Sequence, residues 1–142
     1  MVSGRPSVTT PSLTIERRVQ WMDTDAAGIW HHSTLVRWAE EAEAELHRQI
    51  GIIQESFGAT PRVHVEFDYF LPLRFDELVR LTLKVAEVGK TSVTYEFDLF
   101  RENDRIAQGK MVAVFIERQT GEKRPWPESM RSALLGDSTG HN

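Results

Sequence analysis

Thr34-Leu35-Val36-Arg37-Trp38-Ala39-Glu40-Glu41-Ala42-Glu43-Ala44-Glu45-Leu46-His47-Arg48-Gln49-Ile50-Gly51 decides the fold, because it is the one long stretch of the chain with helical period. Leu35, Trp38, Ala39, Ala42, Leu46 and Ile50 return at spacings of three and four, while Arg37, Glu40, Glu41, Glu43 and Glu45 fill the other positions. At 3.6 residues per turn those apolar residues form a single stripe, which must be buried against another element. Gly51 stands where a C-cap is expected, and Ser33 or Thr34 where an N-cap is expected. The small side chains of Ala39 and Ala42 predict close approach to a facing surface, of the kind a curved sheet provides.

Outward from this helix the pattern alternates with period two. On the N-terminal side Leu13, Ile15, Val19 and Trp21 share one face, and Thr14, Glu16, Arg18 and Gln20 the other. On the C-terminal side four such stretches follow, over residues 62–70, 78–88, 91–100 and 105–117. Their apolar faces carry Val63, Val65, Phe67 and Tyr69, then Val79, Leu81, Leu83 and Val85, then Val93, Tyr95, Phe97 and Leu99, then Ile106, Val112, Val114 and Ile116. The last stretch also has Ala107, Met111, Ala113 and Phe115 on its second face, which places it inside the sheet. Gly89-Lys90 and Glu102-Asn103-Asp104 are short polar connections suited to antiparallel neighbours, and a further helical turn is expected over residues 128–135. The expected order is strand, long helix, then four strands in meander: an α+β unit with five antiparallel strands and one helix. One helix covers only one face, so dimerisation is the economical way to cover the rest.

Composition narrows the function. The 142 residues hold 17 Lys plus Arg, 21 Asp plus Glu and no Cys, a formal charge of −4. This is one domain, expected over residues 13–135 with polar tails at 1–12 and 136–142. The lack of Cys removes disulfide frameworks, Cys-bearing metal centres and thiol nucleophiles. The acidic balance speaks against nucleic acid as a partner. No apolar run approaches the ~20 residues of a membrane span, and the N-terminal residues lack a signal-peptide pattern, so a soluble cytoplasmic protein is expected.

The chemistry concentrates between the first strand and the helix, in Trp21-Met22-Asp23-Thr24-Asp25-Ala26-Ala27-Gly28-Ile29-Trp30-His31-His32-Ser33. Two carboxylates, two imidazoles and a glycine precede a helix N-terminus, where unpaired backbone N–H groups and the helix dipole favour developing negative charge. Such a set suits acyl transfer, with a carboxylate to attack or to activate water and an amide to polarise a carbonyl. Structural readings stand beside it. Asp23-Thr24-Asp25 is also good turn chemistry, Gly28 also permits positive φ, and the Glu-rich helix face also reads as solvated surface. Adjacent His31 and His32 diverge in regular structure, and with no H-x-x-x-H pair no metal and no cofactor is expected.

The run Val19-Gln20-Trp21-Met22-Asp23-Thr24-Asp25-Ala26-Ala27-Gly28-Ile29, with Trp38 and the Glu-bearing helix behind it, resembles the N-terminal signature of hotdog-fold acyl-CoA thioesterases. It is most similar to the 4-hydroxybenzoyl-CoA thioesterase family, including the Tol-Pal-associated type, over residues 13–127. The resemblance implies a five-stranded antiparallel sheet wrapped around one long helix, acting as a homodimer or homotetramer on an acyl-CoA thioester. It places the catalytic carboxylate on Asp25, the carbonyl-polarising amide at His32 and the close-approach glycine at Gly28; His31 departs from the Tyr that the Tol-Pal type carries there. It further implies CoA contacts from Lys90, Thr91 and Ser92 and acyl contacts from Thr60, Pro61 and Val63, with Arg62 and His64 on the other face and Lys123 and Arg124 as further candidate cations. Another lineage of the fold carries its carboxylate on the helix, which makes Glu40 or Glu41 the alternative. Trp30, Phe57 and Phe67 are candidates to line an aromatic pocket. The alternative activities are an acyl-ACP or polyketide-chain thioesterase of the same fold, or a non-catalytic module that binds acyl-CoA.

Overall fold

The computed structural model describes residues 10–137. Strand β1 (Ser12–Arg18) leads through a 3-10 turn at Trp21–Asp23 to helix α1 (Ser33–Gln49) and a short helix α2 (Ile53–Ser56). Strands β2 (Arg62–Tyr69), β3 (Leu78–Val88), β4 (Ser92–Arg101) and β5 (Asp104–Val114) follow, and helix α3 (Glu128–Leu135) closes the chain. The expected tails at 1–9 and 138–142 lie outside the described residues. Thr10 to Ser12, assigned to the N-terminal tail, are part of the fold: β1 begins at Ser12, and the Pro11 carbonyl accepts the Val85 N–H at 3.1 Å.

The five strands form one antiparallel sheet in the order β1-β3-β4-β5-β2, the hotdog architecture. Only β3, β4 and β5 form a meander. Strand β2 does not neighbour β3 as a four-strand meander requires; it crosses the sheet to pair with β5, from Arg62 opposite Ala113 to Tyr69 opposite Ala107. Both strands that flank α1 in sequence are therefore edges. Strand β5 is interior, in keeping with its two apolar faces.

Helix α1 buries Leu35, Trp38, Ala39, Ala42 and Leu46 and packs on β1 and β3. Burying each large member of that stripe contributes roughly 1.5–3 kcal/mol. Facing it are Ile15, Val79, Leu81, Leu83, Val85, Val93, Tyr95, Phe97 and Leu99. Gly109 of β5 is required by packing: a Cβ there would stand 2.3 Å from the Phe97 ring and 2.7 Å from Phe67, which meet edge to face across it. Alternation alone carried no sign of this contact.

Local readings change where the backbone leaves regular structure. The strand ends at Arg18, so Trp21, read as a core residue, sits in the 3-10 turn at 78% exposure while Val19 is fully buried. The register of β2 shifts between Arg62 and His64, making Val63 the extra residue of a bulge, 57% exposed rather than packed. Val65 and Tyr69 are also exposed, because they share the face that α1 covers but stand on the edge strand farthest from β1 and β3, on which α1 packs. The N-cap of α1 is His32, one residue ahead of Ser33. No helix among the described residues is long and apolar enough to cross a membrane.

Candidate active site

The two carboxylates of the loop before α1 have separate duties. Asp23 is 2% exposed and ion-paired with Arg37 of α1, its Oδ2 accepts the Gln20 N–H at 2.8 Å, and its carbonyl accepts the His31 N–H at 2.7 Å and the Thr34 hydroxyl at 3.0 Å. Every polar atom of Asp23 that the fold surrounds is used to hold the loop on the helix. Asp25 is exposed: its Oδ1 accepts the Ala27 N–H at 2.8 Å, its carbonyl accepts the Gly28 N–H at 3.0 Å, and its Oδ2 has no partner among the described residues. Gly28, at φ +81°, supplies the positive dihedral that this turn needs. A Cβ on it would meet nothing within 4 Å, so in the single chain it shapes the turn rather than admitting a close neighbour.

The helix start has a definite account of its polar groups. Of the two peptide units flanking His32, the His31 carbonyl accepts the Thr34 N–H at 3.0 Å, the Ser33 N–H donates to His31 Nδ1 at 3.1 Å, and the His32 carbonyl accepts the Tyr69 hydroxyl at 2.6 Å. The fourth group, the His32 N–H, has no acceptor among the described residues. A helix N-terminus normally leaves several donors open; here one backbone bond and two side chains tie three of these four groups. The His31 ring, stacked on His32 at 4.2 Å, thus acts as a cap, its Nδ1 receiving the Ser33 N–H.

Asp25 and His32 line one open cleft of about 360 Å³ with Ile29, Trp30, Tyr69, Phe70, Leu71 and Pro72. Trp30 is buried and meets the Tyr69 ring edge to face at 5.5 Å and Trp38 at 5.9 Å, which gives the cleft a firm aromatic floor. A carboxylate oxygen and a backbone donor beside an aromatic wall can hold a carbonyl compound and direct an attack on it. The sequence pattern marks Tyr69 and Phe70 only as strand residues and leaves Leu71 beyond the strand; nothing in period-two alternation distinguishes a ring that faces a cleft from one that faces a core.

The other site candidates lie at the opposite end of the sheet. Thr60 and Pro61 line a cavity of about 450 Å³ together with Glu40, Glu43, His47, Ser56, Phe57 and Arg62. Its polar walls are bonded largely to one another: Arg62 pairs with Glu43, the His47 ring bonds Ser56 Oγ and Tyr95 Oη, each at 2.6 Å, and the Thr60 hydroxyl donates to the Ser56 carbonyl at 3.1 Å, while Glu43 Oε2 and Arg62 Nε are buried without a hydrogen-bond partner among the described residues. Burial lowers the His47 pKa to about 4 and raises that of Tyr95. Lys90 and Thr91 lie in the β3–β4 hairpin and Ser92 opens β4. The carbonyls of this hairpin are pinned by Arg131 (to Gly89, 2.7 Å), the Trp126 N–H (to Lys90, 3.1 Å), the Phe115 N–H (to Thr91, 2.8 Å) and Trp126 Nε1 (to Ser92, 2.9 Å). Arg124, whose N–H donates to the Phe115 carbonyl, joins Lys90 and Arg131 at this end.

Along β5 the seven-residue step from Ala107, beside Tyr69, to Val114, beside Pro61 and Ser92, is about 24 Å. Within one chain, then, Asp25 and His32 come together, Thr60, Pro61 and Lys90 come together, and the two groups stay apart. Val63 belongs to the exposed edge. Glu41 is held by Arg17 at 2.9 Å and Glu40 faces Arg62 at 3.7 Å, so neither alternative carboxylate lines the Asp25 cleft. Phe57 borders the second cavity and Phe67 packs on Phe97.

Residues 19–134 match the family described as the Thioesterase-like superfamily. A 1,4-dihydroxy-2-naphthoyl-CoA hydrolase of Rippkaea orientalis is 33% identical over 127 residues, 83% of this chain and 91% of that one. Among solved structures, a gentisyl-coenzyme A thioesterase is 25% identical at a TM-score of 0.75, covering 86% of this chain and 98% of its own. A 1,4-dihydroxy-2-naphthoyl-CoA thioesterase from Synechocystis, 20% identical, superimposes at a TM-score of 0.78 over 93% of this chain and all of that one, a likeness that speaks for the fold. The Tol-Pal resemblance rests on the motif alone.

Proposed function

The chain belongs to the thioesterase-like superfamily and is a thioester hydrolase, and from that premise we propose that it cleaves an aryl-CoA thioester with Asp25 and the His32 N–H as its reacting pair. One observation carries this reading: of the four polar groups in the two peptide units flanking His32, only its N–H is untied among the described residues, and His32 shares a cleft with Asp25, whose Oδ2 is unpartnered. The thioester carbonyl oxygen accepts the His32 N–H, which stabilises the negative charge that grows there. Asp25 Oδ2 then either attacks the carbonyl carbon, expelling CoA thiolate and leaving an anhydride for water to open, or removes a proton from the attacking water. Both routes yield the free acid and CoA. The aryl class is supported by the Trp30 and Tyr69 rings in the cleft and by relatives named for naphthoyl and gentisyl thioesters.

The CoA end of the substrate requires cations that this cleft lacks, since its lining holds no Lys or Arg. A two-fold dimer supplies them. Strand β2 is an eight-residue edge with exposed Val63, Val65 and Tyr69, at the edge of the sheet farthest from the strands on which α1 packs. Pairing it antiparallel with the same strand of a second copy lays the Thr60–Pro61 end of that copy beside Tyr69, and so brings the two groups of site residues together twice per dimer. Lys90, with Arg124 and Arg131, then forms the phosphate patch at each site, which reconciles polyanion binding with a net charge of −4. The test is a thiol-release assay over aryl, short-chain and long-chain CoA thioesters, with Asp25→Asn beside the wild type. Preference for aryl-CoA, lost in a folded Asp25→Asn protein, is the expected result; undiminished turnover by that variant overturns the assignment.

A further inference from the structure

Three of the four polar groups around His32 are tied, and two of those ties are local: Thr34 and the His31 ring belong to the same loop and helix start. The third comes from another element. Tyr69, the last residue of β2, reaches across the cleft and donates its hydroxyl to the His32 carbonyl at 2.6 Å. Its ring is fixed by edge-to-face contacts with Trp30 at 5.5 Å and Phe67 at 6.1 Å, so the hydroxyl is delivered from a held position. Burial raises the pKa of this phenol, and it stays a donor throughout the neutral range.

We propose that Tyr69 is a positioning residue for thioester hydrolysis, which clamps the start of α1 to β2 and thereby fixes the His32 N–H against the substrate carbonyl; this rests on the reading of Asp25 and His32 given above. The physical reason is leverage. An oxyanion donor works only within a few tenths of an ångström of its acceptor, and the first residue of a helix otherwise moves with the fraying of its terminus. The local ties move with the helix; the Tyr69 tie does not, because β2 is anchored in register to β5 from His64 to Tyr69. The clamp also places a polar group in the cleft without spending the His32 N–H, the one donor that the substrate needs.

Tyr69→Phe removes the hydroxyl and keeps both ring contacts, so it isolates the clamp. On the aryl-CoA that the wild type turns over fastest, kcat is expected to fall about 5- to 10-fold, with KM changed less than about 2-fold, as for loss of one hydrogen bond that matters in the transition state. The melting temperature is expected to stay within about 3 °C of wild type. Tyr95→Phe is the control, since it removes a buried hydroxyl at the other end of the sheet; it is expected to lower the melting temperature and leave kcat unchanged. Unchanged kcat in Tyr69→Phe, a rise in KM alone, or parallel losses of kcat in both variants overturns the inference. Activity retained in Asp25→Asn would instead overturn the reading on which it rests, so the two failures are told apart.

Discussion

The two ends of strand β2 are built from similar residue types and end in opposite states. At the Arg62 end Glu43, Arg62, His47, Ser56 and Tyr95 are packed into ion pairs and hydrogen bonds with one another, and burial holds the His47 and Tyr95 titrations far from their usual values. At the Tyr69 end Asp23, Arg37, His31, Thr34 and Tyr69 are equally engaged, yet their engagement leaves one carboxylate oxygen and one amide hydrogen open on a cleft. The closed end offers a Ser–His pair and two glutamates, which look more like catalytic equipment than a lone Asp does. On the reading proposed above, reactivity follows what the fold leaves both unsatisfied and reachable: Glu43 Oε2 and Arg62 Nε also lack hydrogen-bond partners among the described residues, but they are buried, whereas Asp25 is exposed on its cleft.

If the open end carries the chemistry and the closed end the stability, substitutions at the two should separate cleanly. The largest effect belongs to Asp25→Asn, which should lower kcat by about 10³-fold or more, equivalent to ~4 kcal/mol of barrier, with the urea midpoint unchanged. Comparable activity loss in Glu43→Gln would erase the distinction. Next is the acid response of the closed end. His47 titrates at about 4 when folded against 6.5 when free, so between those values the unfolded chain takes up a proton that the folded chain refuses. That stability is full above pH 6.5 and is lost as pH falls toward 4, by roughly 3 kcal/mol in all. Urea titrations at pH 7.5 and 4.5, repeated on His47→Asn, should show the slope flattened in the variant.

Asp23 tests the border between the two roles. Asp23→Asn breaks the pair with Arg37, and because the Arg37 side chain is 41% exposed the cost is expected to be ~2 kcal/mol rather than that of a fully buried pair. Its activity, once corrected for the folded fraction, should fall far less than that of Asp25→Asn; an equal fall would make Asp23 part of the chemistry. The smallest effect is at Lys90: Lys90→Ala should raise KM for a CoA thioester about 3- to 5-fold at low salt with kcat unchanged, and the difference should fade as ionic strength rises.

Much of this was legible in the chain. The helix over 33–49, the five strands and the loop bearing Asp25 all follow from local period and capping chemistry. Which of Asp23 and Asp25 is held and which is open was not legible from residue type, since both are Asp in a turn; burial beside Arg37 separates them. The bulge at Val63, the exposure of Trp21, the demand for Gly109 and the Tyr69 clamp were equally invisible, because each depends on which residue lies opposite, often forty or more positions away. The resemblance named Asp25, His32 and Lys90 individually, but it did not say that one chain holds Asp25 and His32 at one end of the sheet and Lys90 at the other.

What the sequence determined by itself is therefore most of what has a short period: which segments are helix or strand, and where the helix begins and ends to within a residue or two. Those features are set by dihedral preference and by hydrophobic spacing over a few residues, and they need no partner. Tertiary structure alone decided the strand order that sends β2 to the far edge, the pairing that consumes Asp23 and spares Asp25, and the contact from Tyr69 that leaves the His32 N–H as the open donor. These are non-local bonds between groups whose own neighbourhoods say nothing of one another, and a backbone hydrogen bond is known to be free only when every possible acceptor has been placed.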